Sequence, residues 1–116
     1  MLLLNLPYPP SVNTYYRNFN GRMVLSAQGR EYKVKVAEYL IESDAPKLGD
    51  AKLKITMVLR PRDKRKIDID NRIKAVLDSL QDAGLFDDDY QVDELTIMRG
   101  EPIKDGKLVV MIEQIV

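Results

Sequence analysis

Hydrophobic and polar side chains alternate most regularly over residues 52 to 60, where one side is formed by Leu53, Ile55, Met57 and Leu59. A period of two is typical of a strand that buries one face. Hydrophobic residues recur every three to four positions over residues 26 to 43 and over about 71 to 83, which predicts two amphipathic helices. Ser26 is expected to cap the first helix, and Gly84 is expected to end the second.

Shorter segments with strand-like composition complete the pattern. Leu2–Leu6 is a predicted strand that a proline-rich loop ends, and a brief strand over Met23–Leu25 is expected to pair back onto the preceding loop. Val92–Arg99 and Lys107–Ile115 are expected to pair as a hairpin. The dipeptide Asp105-Gly106 between them is a preferred tight turn.

The order of these elements predicts one α+β domain over residues 1–116, with a mixed sheet of about four to five strands and two main helices. A length of 116 residues and a hydrophobic content of 45% suit a single core, and no repeat or linker divides the chain. Because a domain of this size buries proportionally less surface than a larger one, subunit association would be a natural source of further burial.

The residues that are absent limit the possible chemistry. Without Cys there is no disulfide and no thiolate zinc site, and without His there is no His-based triad and no His-ligated metal. Catalysis would depend on Asp, Glu, Lys, Tyr or a bound metal. The opening ten residues are too short to cross a bilayer and do not resemble a signal peptide, so a cytoplasmic protein without membrane contact is expected.

Charge is balanced overall but unevenly distributed. Residues 60 to 66 hold five basic residues and one acid, whereas residues 75 to 98 hold seven acids and no base. A basic segment beside an acidic one suits a site that holds a polyanion and keeps cations near the reacting phosphate. The alternative is a pair of ordinary solvated surfaces.

Asp68 and Asp70 stand two residues apart, so in an extended segment both carboxylates would point to the same side. Two anions in one small space require a cation or a proton. Oxygen ligands alone favour a hard ion, Mg²⁺ or Mn²⁺. The alternative is that Asp70 is the N-cap of the second helix and Asp68 complements the helix dipole.

Lys74 lies one helical turn after Asp70, where it could neutralise a phosphate or form an ordinary surface ion pair with Asp70 or Asp78. The acids at positions 87 to 89 follow the helix, and spacing alone does not place them beside Asp68.

Two groups of motifs together resemble the RusA family of Holliday junction resolvases. The first group follows the central strand: Asp68-Ile-Asp-Asn71, Lys74, Asp82-Ala-Gly84 and Asp88-Asp89-Tyr-Gln-Val92. The second is the N-terminal Pro9-Pro-Ser-Val-Asn13 followed by Tyr16-Arg17. They occur in the family's order and cover most of the chain.

The resemblance implies a magnesium-dependent endodeoxyribonuclease, with Mn²⁺ as a possible substitute, in which Asp68, Asp70 and Asp89 bind the metal. Asp88 is the alternative to Asp89, and Lys74 is an essential basic partner. Ile67 is a departure, because family members often have a basic residue immediately before the first aspartate.

The resemblance also implies a homodimer that acts on four-way DNA junctions in recombination and repair, in a bacterial host and of phage or prophage origin. Candidate phosphate contacts are Arg17, Arg60, Arg62, Lys64, Arg65 and Lys66. Four N-terminal aromatic residues could stack on opened bases or simply pack the loop, namely Tyr8, Tyr15, Tyr16 and Phe19. Two functions remain as alternatives: a junction-binding protein without activity, and a flap or single-strand endonuclease.

Overall fold

Six strands and three helices make up the protein in the computed structural model, which describes residues 1–116. In chain order they are β1 (Leu2–Leu6), α1 (Val12–Tyr15), β2 (Tyr16–Phe19), β3 (Arg22–Leu25), α2 (Ala27–Glu42), β4 (Leu53–Arg60), α3 (Ile73–Asp82), β5 (Val92–Arg99) and β6 (Lys107–Gln114). Short 3₁₀ turns at Asp70–Arg72 and Asp89–Gln91 precede α3 and β5. The α+β class and the two main helices are therefore confirmed.

The main sheet has the strand order β1-β6-β4-β5. β6 is antiparallel to both β1 and β4, whereas β5 is parallel to β4. A parallel pair needs a crossover connection, and α3 supplies it between β4 and β5. The brief strand predicted near residue 23 is confirmed as β3, which pairs with β2 in a separate two-stranded sheet.

The predicted hairpin between the last two strands is wrong, because β4 lies between β5 and β6. Leu59 of β4 is paired with Arg99 on one side and with Leu108 on the other. The connection crosses the end of β4, where the Gly100 N–H donates to the Leu59 carbonyl at 2.8 Å. The turn at Asp105-Gly106 does form, with both residues at positive φ, but it identifies a local bend and not the pairing of strands.

The core lies between one face of the main sheet and the helices α2 and α3. The strand side chains in this core are Leu4, Leu6, Leu53, Ile55, Met57, Leu59, Leu108, Val110 and Ile112, and the helix side chains include Tyr32, Val36, Leu40, Ala75, Val76 and Leu80. An ion pair between Lys33 and Asp82 also joins α2 to α3. No helix has the length and apolar character needed to cross a membrane.

The opposite face of the main sheet is only partly covered. Direct cross-strand pairing places five apolar side chains on this face, which are Leu3, Val58, Met98, Val109 and Met111. Leu3 is 54% exposed and Met98 is 44% exposed. The chain therefore presents a partly apolar surface on the side of the sheet away from α2 and α3.

The start of α2 is fastened to the N-terminal segment. Ser26 is the predicted N-cap and accepts a hydrogen bond from the Gly29 N–H at 2.9 Å. The Ser26 hydroxyl also contacts the Tyr15 carbonyl at 3.0 Å. Gly29 lets this carbonyl approach closely, since a Cβ at position 29 would lie 2.3 Å from the Tyr15 oxygen. This contact fixes where the β2–β3 hairpin leaves the core.

Gly29→Ala should therefore destabilise the protein, although alanine normally favours a helix by about 1 kcal/mol over glycine. The added methyl group meets backbone, and overpacking of this kind costs about 1–3 kcal/mol. Urea unfolding followed by circular dichroism measures the change. Val34→Ala at an exposed position of the same helix is the control and should change stability by less than about 0.5 kcal/mol. A stabilising effect of Gly29→Ala would contradict the role of this contact.

Candidate active site

Asp68 and Asp70 are both exposed to solvent, while Ile67 and Ile69 are half-buried and pack against the core. The segment is not extended as predicted, because Ile69 has helical angles of φ −82° and ψ −21° and a 3₁₀ turn begins at Asp70. The alternation of half-buried and exposed residues nevertheless leaves both carboxylates on the solvent side. The two isoleucines thus anchor the segment that carries the acids.

The expectation that Asp70 is the N-cap of the second helix is wrong. The 3₁₀ turn displaces the start of α3, whose N-cap position is occupied by Arg72, and neither helix start has a side-chain cap bond. None of the ion pairs in the chain involves Asp68 or Asp70. Both carboxylates are therefore available for a ligand.

Lys74 lies between two carboxylates. Its Nζ is 3.0 Å from Asp78 Oδ1 and 3.8 Å from Asp89 Oδ2. The hydrogen bond to Asp78 is the main cause that raises the pKa of Lys74, and the negative charges of Asp78 and Asp89 act in the same direction. The surface ion pair expected with Asp70 or Asp78 thus forms with Asp78, and it aims a charged lysine at Asp89.

Asp78 is the centre of this contact and is not indicated by the family motifs. It is only 16% exposed at its side chain, and its second oxygen accepts a hydrogen bond from the Tyr16 hydroxyl. Burial raises the pKa of Tyr16, and the hydrogen bond to Asp78 raises it further, so this hydroxyl remains a donor at neutral pH. The spacing of Lys74 and Asp78 was the available sequence signal for their pairing.

Asp88 and Asp89 have different contacts. Asp88 is the N-cap of the 3₁₀ turn and accepts from the Tyr90 N–H at 2.9 Å. Asp89 faces Lys74, and its backbone N–H donates to Gln81 Oε1 at 3.0 Å. A backbone contact to α3 thus places Asp89 next to Lys74, while the carboxylate of Asp88 is already engaged.

Gln91 holds this acidic loop in place. Its Oε1 accepts from the N–H groups of Asp87 and Asp88, at 3.0 and 2.9 Å. Its Nε2 donates to the carbonyls of Gly49 and Ala51, at 2.9 and 2.5 Å. The sequence signal was the three-residue spacing between Asp88 and Gln91, which is typical of a capping box. What spacing could not show is that the same buried amide reaches the loop before β4.

The three predicted metal ligands are suitable in chemistry but are not gathered into a cluster of metal-ligand geometry. All three provide carboxylate oxygens, which suit Mg²⁺. Asp68 and Asp70 have no ion-pair partner, and Asp89 contacts only Lys74 among the cations. The donor set therefore fits a hard divalent ion, while the structure brings together Lys74 and Asp89 and leaves the other two acids at the exposed approach to α3.

The predicted phosphate contacts differ in their surroundings. Arg60 donates through Nε to the Glu101 carbonyl at 2.9 Å, and Arg65 pairs with Asp63 at 2.8 Å. The guanidinium of Arg17 lies 5.2 Å from the centre of the Phe19 ring. Three others, Arg62, Lys64 and Lys66, are exposed and form no ion pair with a carboxylate.

The N-terminal aromatic residues mostly pack the fold. Tyr15 is fully buried, with its hydroxyl 3.1 Å from Ser79 Oγ, and its ring meets that of Tyr16 edge to face at 4.8 Å. Loop packing is thus the correct interpretation of Tyr15 and of the half-buried Tyr16. Phe19 is 48% exposed at the end of β2 and is the ring among these that is open to stacking.

Gln91→Ala should release the acidic loop, because four hydrogen bonds are lost and buried groups lose their partners. A loss of about 2–3 kcal/mol in unfolding free energy is expected, together with faster hydrogen exchange at the Asp87 and Asp88 amides. Hydrogen exchange and urea unfolding measure the two effects. Gln28→Ala, at an exposed position in α2, should leave both unchanged. Full protection of the two amides in Gln91→Ala would contradict this role of Gln91.

Comparison with known proteins agrees with the motifs. A family model described as Endodeoxyribonuclease RusA matches residues 7–113. The crossover junction endodeoxyribonuclease rusA of Enterobacteria phage HK97 is 34% identical over 110 residues, covering 95% of this chain and 92% of the relative. The proteins of the same name from Escherichia coli K12 and Enterobacteria phage 82 are each 38% identical over 106 residues, covering 90% of this chain and 88% of the relative. With matches of this extent, the chain belongs to the RusA family of endodeoxyribonucleases.

Proposed function

We propose that this protein is a magnesium-dependent endonuclease that resolves Holliday junctions. The relatives are named crossover junction endodeoxyribonucleases. The observation that carries the proposal is the position of Asp89, which faces Lys74 while the neighbouring Asp88 caps its turn. A second support is that Asp68 and Asp70 are exposed and do not cap α3.

Asp68, Asp70 and Asp89 would hold the metal. Mg²⁺ bound there would supply a Lewis acid for the phosphate and for the attacking water. Repulsion among three carboxylates opposes their close approach, and a divalent cation removes this repulsion. Asp89 is held from its backbone by Gln81 and through its turn by Gln91, so the position of one proposed ligand is fixed by the fold.

Lys74 would stabilise negative charge on the phosphate or on the leaving oxygen. The contact with Asp78 keeps the ammonium group of Lys74 charged and within reach of Asp89. A cation beside the reacting phosphate is worth more in the transition state, where the charge on the oxygens increases. Because Tyr16 also donates to Asp78, the N-terminal segment takes part in positioning Lys74.

The proposed substrate is branched DNA, and the proposed active form is a homodimer. A four-way junction offers two equivalent strands, which a two-fold dimer could cut with two copies of one site. The partly apolar outer face of the main sheet is a surface that dimerisation could cover. The phosphate contacts are proposed to come from Arg17 and from the basic residues at positions 60 to 66, which are Arg60, Arg62, Lys64, Arg65 and Lys66.

A synthetic four-way junction tests the activity. The protein should make paired nicks at symmetric positions with Mg²⁺ and none with EDTA, and Asp70→Asn should reduce the rate at least about 100-fold through loss of a metal ligand. Asp44→Asn, in the exposed turn after α2, is the matched control and should cut normally. Nicks mapped by denaturing gels reveal whether cutting is paired.

Three outcomes of this assay would contradict the proposal. Normal cutting by Asp70→Asn would show that Asp70 is not a metal ligand needed for cleavage. Faster cutting of flaps or single strands than of junctions would identify a different substrate. Tight junction binding without cleavage under any divalent ion would identify a binding protein.

Magnesium titration by calorimetry tests the ligand set without any DNA. Asp68→Asn and Asp89→Asn should each weaken Mg²⁺ binding by at least about tenfold, since ligand carboxylates contribute directly to affinity. Asp88→Asn is the adjacent control, because asparagine also caps a helical turn, and it should bind Mg²⁺ like the unmodified protein. If Asp88→Asn is the variant that loses affinity, the choice of Asp89 is wrong.

A further inference from the structure

A pocket of about 260 Å³ opens beside Tyr8, next to the segment that carries the aspartates. Arg62, Lys66 and Arg72 line it and form no ion pair with a carboxylate, whereas Arg65 is neutralised by Asp63. The lining thus has a net excess of three positive charges. An excess of this size in a small concave site attracts an anion.

Tyr8 organises this pocket. The guanidinium groups of Arg62 and Arg72 lie 5.0 and 4.7 Å from the centre of its ring. The ring also packs closely against the turn at Gly106, where a Cβ would lie 2.5 Å from Tyr8 Cδ1. Stacking on an aromatic ring orients a guanidinium while its N–H groups can still donate within their own plane. Tyr8 therefore contacts two arginines that line the same pocket.

Arg72 has donor capacity that the protein does not use. Its Nη1 donates to the Pro9 carbonyl at 2.5 Å, but its Nε is buried and has no hydrogen-bond partner. A buried unsatisfied N–H of a charged group is costly, so an acceptor that reaches it after a rearrangement of the Arg72 side chain would be favoured. The fork of an arginine matches the oxygens of a phosphate.

The location of the pocket relates it to the proposed catalytic residues. Lys66 and Ile67 line the pocket and immediately precede Asp68, and Arg72 ends the 3₁₀ turn that begins at Asp70. A DNA strand whose phosphate lies at Asp68 and Asp70 would therefore have another of its phosphates near the pocket. The volume is large enough for a phosphate group with part of its sugar.

We infer that this pocket binds one backbone phosphodiester of the DNA, next to the phosphate that is cut. The inference rests on the proposed function, because it takes DNA as the substrate. It adds Tyr8 and Arg72 as binding residues, which neither the basic run nor the family motifs indicated. It also makes Arg62 and Lys66 partners on the same phosphate instead of independent surface charges.

The test compares junction affinity of the full chain in EDTA for Arg62→Gln, Lys66→Gln and the double variant, using fluorescence anisotropy at several salt concentrations. Each single substitution should weaken binding about tenfold, the loss of one charged hydrogen bond. If the two residues acted independently, the double variant would bind about 100-fold more weakly. Because both residues contact one phosphate, its affinity should fall by far less than this. The salt slope should fall by about one in all three variants. Lys47→Gln, an exposed substitution in the loop before β4, is the control and should bind normally.

The inference would be overturned if the affinity losses of the two single variants multiplied in the double variant. It would also be overturned if the losses were no larger than that of Lys47→Gln. Tyr8→Leu keeps every charge and provides a second test, since affinity should fall in a variant that circular dichroism shows to be folded. Titration with inorganic phosphate, followed by the NMR signal of Arg72 Nε–H, tests the other source of this ligand. Saturation by phosphate with unchanged DNA affinity in the variants would assign the pocket to free phosphate and overturn the inference. Junction binding is measured without cleavage, so an inactive protein would contradict the proposed function and leave this result intact.

Discussion

The structure depends on the burial of one face of β4. Leu53, Ile55, Met57 and Leu59 are each no more than 2% exposed, and they fix β4 at the centre of the sheet beneath α2 and α3. A central strand needs a neighbour on each side, and the parallel neighbour β5 requires a crossover through α3. The crossover then determines the site, because it places the acidic loop before β5 alongside α3.

Two kinds of contact convert this arrangement into a site. Side-chain amides hold the backbone: Gln91 ties the acidic loop to the segment before β4, and Gln81 accepts from the N–H of Asp89. Charges then orient side chains, since Asp78 holds Lys74 and Lys74 faces Asp89. Loss of Gln91 or Gln81 would therefore change the position of the acidic loop, whereas loss of Asp78 would change the direction of the Lys74 side chain.

The exposed acids and the basic run are placed by the same strand. The chain leaves β4 at Arg60, passes through the basic residues and reaches Asp68 before α3 begins. Ile67 packs against the core, and Lys66 before it and Arg72 five residues after it line the pocket beside Tyr8. Positive charge near the first aspartate is thus supplied by tertiary packing and does not depend on position 67.

Much of this protein was determined by local pattern. Alternation identified β4, the spacing of hydrophobic residues identified both main helices, and Ser26 capped its helix as predicted, because each of these depends on neighbours along the chain. The motifs identified the family. Tertiary structure alone decided that β4 separates β5 from β6, that a 3₁₀ turn frees Asp70 from capping, and that Asp89 faces Lys74. These outcomes depend on which distant groups compete for the same hydrogen bonds and buried surface, and spacing along a chain carries no information about that competition.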